Sequence, residues 1–146
     1  MKIAIACDHA GFEYKNRLVE HLKTFGFEVK DFGTFSSESM DYADTAHPMA
    51  RCVESGEADR GIAICGSGNG ISMTVNKHQG IRCALAWCVE IASLGRHHND
   101  ANVVGIPARF ISYDLAEKIV DTFLTEPFDG GRHQRRIEKI PVKQNA

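Results

Sequence analysis

Residues 61–77, GIAICGSGNGISMTVNK, join a short aliphatic run to a helix-forming stretch through a turn with glycine at every second position. The run from 60 to 65 predicts a buried strand, and residues 71–77 predict a helix. A strand followed by a turn and a helix is the repeating unit of a parallel α/β sheet. Cys65 stands at the junction of strand and turn, where packing alone does not require a thiol.

The same unit repeats in both directions along the chain. Strands are predicted at 2–7, 27–32, 60–65, 83–87 and 103–106. Helices are predicted to end before Gly26 and near Gly56, and others to occupy 71–77 and 90–97 and to start at Ser112. Pro48 leaves the start of the second helix open, because proline fits only a first turn. We predict one doubly wound α/β domain over 1–146, a parallel sheet of order 2-1-3-4-5 with helices on both faces, and a C-terminal helix at about 130–141.

The composition excludes several classes of protein. With 17 basic and 19 acidic side chains the formal charge is -2, so no overall field attracts nucleic acid or an anionic membrane. The apolar run before Asp8 is too short for a signal peptide or a membrane span, and we expect a cytoplasmic protein. The five cysteines lack CxxC spacing, which argues against disulfides and structural zinc. Four of them are interpreted as core residues, and Cys65 is the exception.

The predicted strand order places a crevice. Ligands of open α/β sheets bind outside the carboxyl ends of the strands, where the winding direction reverses. Here the reversal falls between strands 1 and 3, which are followed by the loops 8–11 and 65–70. The polar residues of both loops are therefore expected to line one crevice.

The turn after Cys65 is suited to an anion. Glycines 66, 68 and 70 allow several backbone N–H groups to point at one place, where a phosphate or an enolate oxygen could bind. A tight strand-to-helix turn is the plain alternative. The spacing matches neither a P-loop nor GxGxxG, which disfavours nucleotides. Because N–H dipoles favour negative charge beside them, Cys65 could be a base or a nucleophile rather than a packed thiol.

Histidines and arginines supply further candidates. His9 and the stretch 97–100, HHND, bring imidazoles that titrate near neutral pH, although histidines in polar loops are more often solvated. Their spacing matches no metal-ligand signature, so no metal is predicted. On a helix Arg132 and Arg136 share one face, which suits a phosphate or a solvated helix end, and Arg109 is a further candidate.

Five motifs in fixed order carry a resemblance to a known family: CDHAGF, CGSGNGISM, NK at 76–77, RHHNDANV and GGRHQRR. From Ile3 to about Ile140 the chain resembles the type B ribose-5-phosphate isomerases, a family that also contains allose-6-phosphate and galactose-6-phosphate isomerases. The resemblance implies a Rossmann-like fold and aldose–ketose isomerisation without metal or cofactor. It also implies a homodimer, or a dimer of such dimers, with two sites shared across the interface.

The resemblance also implies a role for each matching residue. Cys65 is expected to be the base that moves a proton between C2 and C1, and His98 to open the sugar ring, with Asp8 and Ser67 assisting. The enediolate would be held by N–H groups of Gly66, Ser67, Gly68, Asn69 and Gly70. The phosphate would contact His9, Arg109, Arg132 and Arg136, and a sugar hydroxyl would contact Asn99. In the family His98, Asn99 and Arg109 reach the site from the neighbouring subunit.

Two positions depart from the family's pattern, and several functions stay open. Ser67 replaces a frequent threonine and keeps its hydroxyl, whereas Ile71 stands where one branch of the family has a glutamate base, so the role of base falls to Cys65. We expect interconversion of ribose 5-phosphate and ribulose 5-phosphate. The alternatives are an isomerase of allose or galactose 6-phosphate, a non-catalytic sugar-phosphate-binding module, and a thiol redox protein, which the lack of a nearby second cysteine disfavours.

Overall fold

The computed structural model describes residues 1–143, so the last three residues of the predicted domain, 144–146, lie outside the described residues. The strands are β1 Lys2–Cys7, β2 Glu28–Asp31, β3 Arg60–Cys65, β4 Cys83–Leu85 and β5 Val103–Pro107. The helices are α1 Phe12–Thr24, α2 Tyr42–Glu54, α3 Asn69–Val75, α4 Val89–Asn99, α5 Tyr113–Thr125 and α6 Arg132–Ile137, with a 3-10 turn His9–Gly11 before α1.

The predicted fold class is confirmed. All strands pair in parallel in one five-stranded sheet, and helices cover both faces. The first and third strands have the predicted bounds, and the C-terminal helix is shorter than predicted. It begins only after Gly130 and Gly131, which both have positive φ. α2 starts at Tyr42 and continues through Pro48, which answers the question that the proline left open.

The predicted strand order is wrong at one end of the sheet. The observed order is 2-1-3-5-4, so β5 pairs with β3 and β4 lies at the edge. Every residue of β5 is buried, as expected of a strand with neighbours on both sides. The three residues of β4 are only half-buried, and a short strand of this kind is suited to an edge.

Alternating residues of the central strands divide the core into two layers. Ile3, Ile5 and Ile62 face α1 and α5, where each buried isoleucine contributes about 1.5–3 kcal/mol of hydrophobic free energy. Ala4 and Ala63 face α2 and α3, and their small side chains let the helices approach closely. Because successive side chains of a strand point to opposite faces, Cys65 belongs to the second layer.

All strands run in the same direction, so their carboxyl ends lie along one side of the sheet and their amino ends along the opposite side. Both sides carry candidate residues. We call the strand ends at Cys7, Cys65 and Pro107 the carboxyl edge, and the strand starts at Lys2, Arg60 and Val103 the amino edge. At about 3.3 Å per residue, strands of five or six residues separate the two edges by roughly 15–20 Å. Among residues 1–143, no helix has both the length and the apolar composition that crossing a membrane requires.

Candidate active site

The glycine turn at the end of β3 presents backbone N–H groups that are free to bind a ligand. Within residues 1–143, the N–H groups of Gly66, Ser67 and Gly68 donate to no protein acceptor. The Asn69 N–H donates to Ser67 Oγ at 3.2 Å and fixes the hydroxyl beside the turn. Ser67 and Asn69 are exposed, so the turn opens to solvent on this side. N–H groups of a glycine turn can stabilise a bound anion when they point to one place.

Two of the glycines are required by the packing of the turn. Gly68 has φ +76, in the left-handed region, and a Cβ there would collide with the Leu85 side chain. A Cβ on Gly70 would lie 2.5 Å from the ring of Tyr42. β4 and α2 therefore enclose the turn from two sides and fix where its N–H groups point.

Cys65 is the thiol that adjoins this turn. It is the last residue of β3, only 4% of it is exposed, and its carbonyl accepts the Ala108 N–H at 3.0 Å. Burial raises the pKa of two other thiols, those of Cys7 and Cys83, to about 12. Those two sulfurs stay protonated near neutral pH and are unsuited to act as a base.

The loop after β1 lies directly against the end of β3. A Cβ on Gly11 would lie 2.6 Å from Ile64 Cγ2, so the loop and the strand are in close contact. The Asp8 carboxylate is buried and accepts the N–H groups of Ala10 at 2.9 Å and Gly11 at 3.3 Å through Oδ1, which leaves Oδ2 for a ligand. His9 Nδ1 accepts the Met40 N–H at 3.2 Å, which places a ring proton on Nε2.

Arg109 completes the group at the carboxyl edge. Its N–H donates to the Gly66 carbonyl at 3.0 Å, and its Cδ and one terminal nitrogen lie 3.2 and 3.3 Å from the position of a Cβ on Gly66. The guanidinium thus covers the turn of its own chain. A cleft of about 270 Å³ adjoins the turn, lined by Ser67, Asn69, Leu85, Trp87, Pro107 and Phe110.

The other predicted site residues lie at the amino edge. Asn99 ends α4, and its carbonyl accepts Arg82 Nε at 3.0 Å, immediately before β4 begins. The ring of His98 stacks on His133 of α6, with centroids 4.5 Å apart and planes at 12°. Arg132 and Arg136, which are exposed on the same short helix, are therefore grouped with His98.

One expectation from the family resemblance is wrong for this chain. Arg109 was grouped with His98 and Asn99 as a contribution from the neighbouring subunit, yet it lies beside Gly66 of its own chain. The physical reason is the strand order: β5 is next to β3, so the residue that follows β5 reaches the turn that follows β3.

Sequence reasoning missed Lys15, which supports the loops of the site through an ion pair. It is fully buried in α1, with Nζ 2.8 Å from Asp31 Oδ2, and Asp31 Oδ1 accepts the Gly33 N–H at 2.8 Å. The pair holds the loop after β2 beside the loop after β1. A charged residue between Phe12 and Leu18 on the apolar face of a predicted helix was the available signal.

The fold and the site define a class of protein: a Rossmann-like α/β domain with a thiol and a glycine-rich turn at the reversal of its parallel sheet. Residues 3–140 match the model of the Ribose/Galactose Isomerase family. The chain belongs to this family and is a sugar-phosphate isomerase.

Individual relatives agree along almost the whole chain. It is 48% identical over 139 residues to ribose-5-phosphate isomerase B of Escherichia coli, covering 95% of this chain and 93% of that protein. A ribose 5-phosphate isomerase structure from Thermotoga maritima is 51% identical with a TM-score of 0.94, covering 96% of this chain and 97% of the other. The Mycoplasma genitalium enzyme with bound ribulose-5-phosphate is 44% identical with a TM-score of 0.92, covering 95% and 93%.

Proposed function

We propose that this protein interconverts ribose 5-phosphate and ribulose 5-phosphate through an enediolate, with Cys65 as the base. The observation that carries the proposal is the position of Cys65 immediately before a turn whose Gly66, Ser67 and Gly68 N–H groups have no acceptor within residues 1–143. The relatives named as ribose-5-phosphate isomerases support the choice of substrate. A cytoplasmic location stays a prediction from the composition.

The proposed reaction is a proton transfer between neighbouring carbons. Cys65 takes the proton from C2 of the open-chain aldose, the C–H electron pair forms the C1–C2 double bond, and the O1 carbonyl becomes an oxyanion. The free N–H groups of the turn stabilise that oxyanion. The sulfur then returns the proton to C1 as a C2 carbonyl forms, and the hydroxyl proton lost from O2 passes to O1 with assistance from Ser67 and Asp8.

A second copy of the chain supplies the rest of the proposed site. His98, with Asn99, would open the furanose ring, and Arg132 and Arg136 would join Arg109 and His9 on the phosphate. His98, Asn99 and the two arginines of α6 lie at the amino edge, roughly 15–20 Å from the carboxyl edge of the same chain. They therefore meet Cys65 only if the amino edge of one subunit faces the carboxyl edge of another.

Exposed apolar side chains support such a homodimer. Met73, Trp87 and Phe110 are 66%, 56% and 75% exposed, and all three lie on the side of the edge strand β4. An apolar surface of this kind, next to a strand without an outer neighbour, favours contact with a second protein surface. In a twofold dimer the same contact is made twice, so the amino edge of each subunit would face the carboxyl edge of the other.

The proposal is tested by turnover. The purified protein is expected to convert ribose 5-phosphate faster than allose 6-phosphate or galactose 6-phosphate in a side-by-side assay of ketose formation. Stabilisation against heat by ribose 5-phosphate without any turnover would instead identify a binding module, and higher kcat/KM for a six-carbon phosphate would overturn the choice of substrate.

Heterodimers test the division of the site between subunits. A dimer of one Cys65→Ala chain and one His98→Ala chain, purified through two different tags, has one site with both residues intact and one with neither. It is expected to show about half of the wild-type activity, whereas each homodimeric variant is nearly inactive. The same result is expected when Arg132→Ala replaces His98→Ala.

The matched control pairs Cys65→Ala with Arg109→Ala. Both residues belong to the same half of the site, so each site of this heterodimer lacks one of them, and no activity is expected to return. Inactivity of the Cys65→Ala/His98→Ala heterodimer would place both residues in one chain and overturn the shared site.

A further inference from the structure

The short helix α6 depends on its neighbours for its position. It has six residues, Arg132–Ile137, and a helix of this length is not stable alone in water. It follows the non-helical segment 126–131, which we call the linker, and this segment ends in two glycines with positive φ. Contacts with α4 must therefore decide where α6 lies.

One residue of α4 holds the linker at two positions. His97 Nδ1 lies 2.6 Å from Asp129 Oδ1, and His97 Nε2 lies 3.0 Å from Glu126 Oε2. The His97 carbonyl also accepts the Asp129 N–H at 3.1 Å. The imidazole is partly shielded, with 27% of the side chain exposed. Three contacts from one residue thus fix the linker just before α6 begins.

The contacts place α6 over the next residue of α4. Immediately after His97, the ring of His98 stacks on His133 of α6. Burial, together with the nearby His98 ring and the Arg132 guanidinium, lowers the pKa of His133, which favours a neutral ring in this stack. The position of Asp129 therefore determines where α6 lies and where Arg132 and Arg136 project from it.

We propose that His97 is a positioning residue: by holding Glu126 and Asp129 it fixes α6, and so keeps Arg132 and Arg136 placed for the substrate phosphate. The inference rests on the proposed function, because it assigns the two arginines to a phosphate. His97 itself does not touch the substrate in this scheme.

The charge of His97 matters for this role. A neutral imidazole donates from one ring nitrogen, and only the imidazolium form donates from both. Hydrogen bonds to Asp129 and Glu126 raise the pKa of His97, and the His97 contact lowers the pKa of Asp129. The clamp is therefore complete below the pKa of His97 and loses one of its two side-chain bonds as the pH rises through it.

Other charged or titratable groups surround the clamp and are part of any pH dependence. On α4 these are Arg96, whose Nε donates to the Glu126 carbonyl at 3.2 Å, and His98. On α6 they are Arg132, His133 and Arg136. The guanidiniums keep their charge at every pH used, so a change between pH 6 and 9 at the clamp itself belongs to the histidines.

Three substitutions separate the two contacts. His97→Asn keeps a donor near the Nδ1 position, His97→Gln keeps one near Nε2, and His97→Leu keeps neither. His97→Leu is expected to raise KM for ribose 5-phosphate about threefold to tenfold with kcat within about twofold, as fits the loss of partly exposed charged contacts. His97→Asn is expected to restore most of the loss, because it keeps the shorter bond.

The pH profile gives a readout that loss of folding would not produce. The ratio of KM between His97→Leu and wild type is expected to shrink as the pH rises through the pKa of His97, while ionisation of the substrate and of groups that both proteins share cancels in the ratio. The matched control is His21→Leu. His21 lies between two carboxylates of α5, 2.7 Å from Asp121 and 3.5 Å from Glu117, and its loss is expected to leave KM unchanged.

Failure of this inference is distinguishable from failure of the proposed function. If wild type converts ribose 5-phosphate but His97→Leu has the wild-type KM at every pH, the inference is overturned and the function stands. Hydrogen exchange of residues 132–137 tests the positioning without substrate. Faster exchange in His97→Leu than in His21→Leu would support it, and equal protection would overturn it even if the substrate were a different one.

Discussion

Replacement of Cys65 by alanine is expected to lower kcat/KM for ribose 5-phosphate by about 10²- to 10⁴-fold, the usual contribution of a positioned base. Cys65 is 4% exposed at the end of β3, and removing its sulfur leaves the N–H groups of the turn in place. Binding of the substrate should therefore persist while proton transfer stops. Steady-state kinetics in both directions, with ligand-induced thermal stabilisation, measure the two effects separately.

Solvent exchange identifies the step that is lost. Ribulose 5-phosphate has no free 5-hydroxyl and stays open-chain, so exchange of its C1 hydrogen with deuterated water needs the base but no ring opening. Cys65→Ala is expected to abolish this exchange, and His98→Ala to retain it. Cys88→Ala is the control for loss of a half-buried thiol outside the turn, at the start of α4. Exchange at the wild-type rate in Cys65→Ala would assign the base to another residue.

Much of the fold was predictable because local pattern and tertiary position agree. β1 and β3 are unbroken aliphatic runs that end at Asp8 and at the glycine turn, and their bounds were predicted correctly. The order of β4 and β5 in the sheet was not predicted correctly, because it depends on which of the two strands lies between neighbours and which lies at the edge. The full burial of Val103–Pro107 is a tertiary property that an apolar sequence alone permits but does not require.

The sequence pattern predicted which residues meet at the carboxyl edge, but not which residues lie at the amino edge. Asp8, His9 and the turn after Cys65 each follow a strand, and the carboxyl ends of neighbouring parallel strands meet. Arg109 belongs with them for the same reason once β5 is placed beside β3. His98 could be named from the sequence but not placed with Cys65, since a crossover helix runs back along the sheet and ends at the amino edge.

The packing around Gly68 leads to the second large effect. Gly68→Ala is expected to lower kcat by about 10²- to 10³-fold, the usual result of losing one oxyanion donor. Gly68 has φ +76, and a Cβ there would collide with Leu85 and approach the backbone of Ile106 and Pro107 to 3.3 Å. Relief of these contacts moves the turn, so the N–H groups no longer converge where the enediolate oxygen forms.

Gly56→Ala separates displacement of the turn from backbone strain. Gly56 has φ +83, nothing lies within 4 Å of its Cβ position, and it follows α2 rather than the candidate site. Alanine in this conformation costs about 1–2 kcal/mol at either position. Gly56→Ala should therefore unfold at a lower temperature yet keep wild-type kcat, whereas Gly68→Ala should lose kcat below its unfolding temperature. Near-wild-type kcat in folded Gly68→Ala would show that the turn does not hold the oxyanion, because its N–H groups could not survive that collision unmoved.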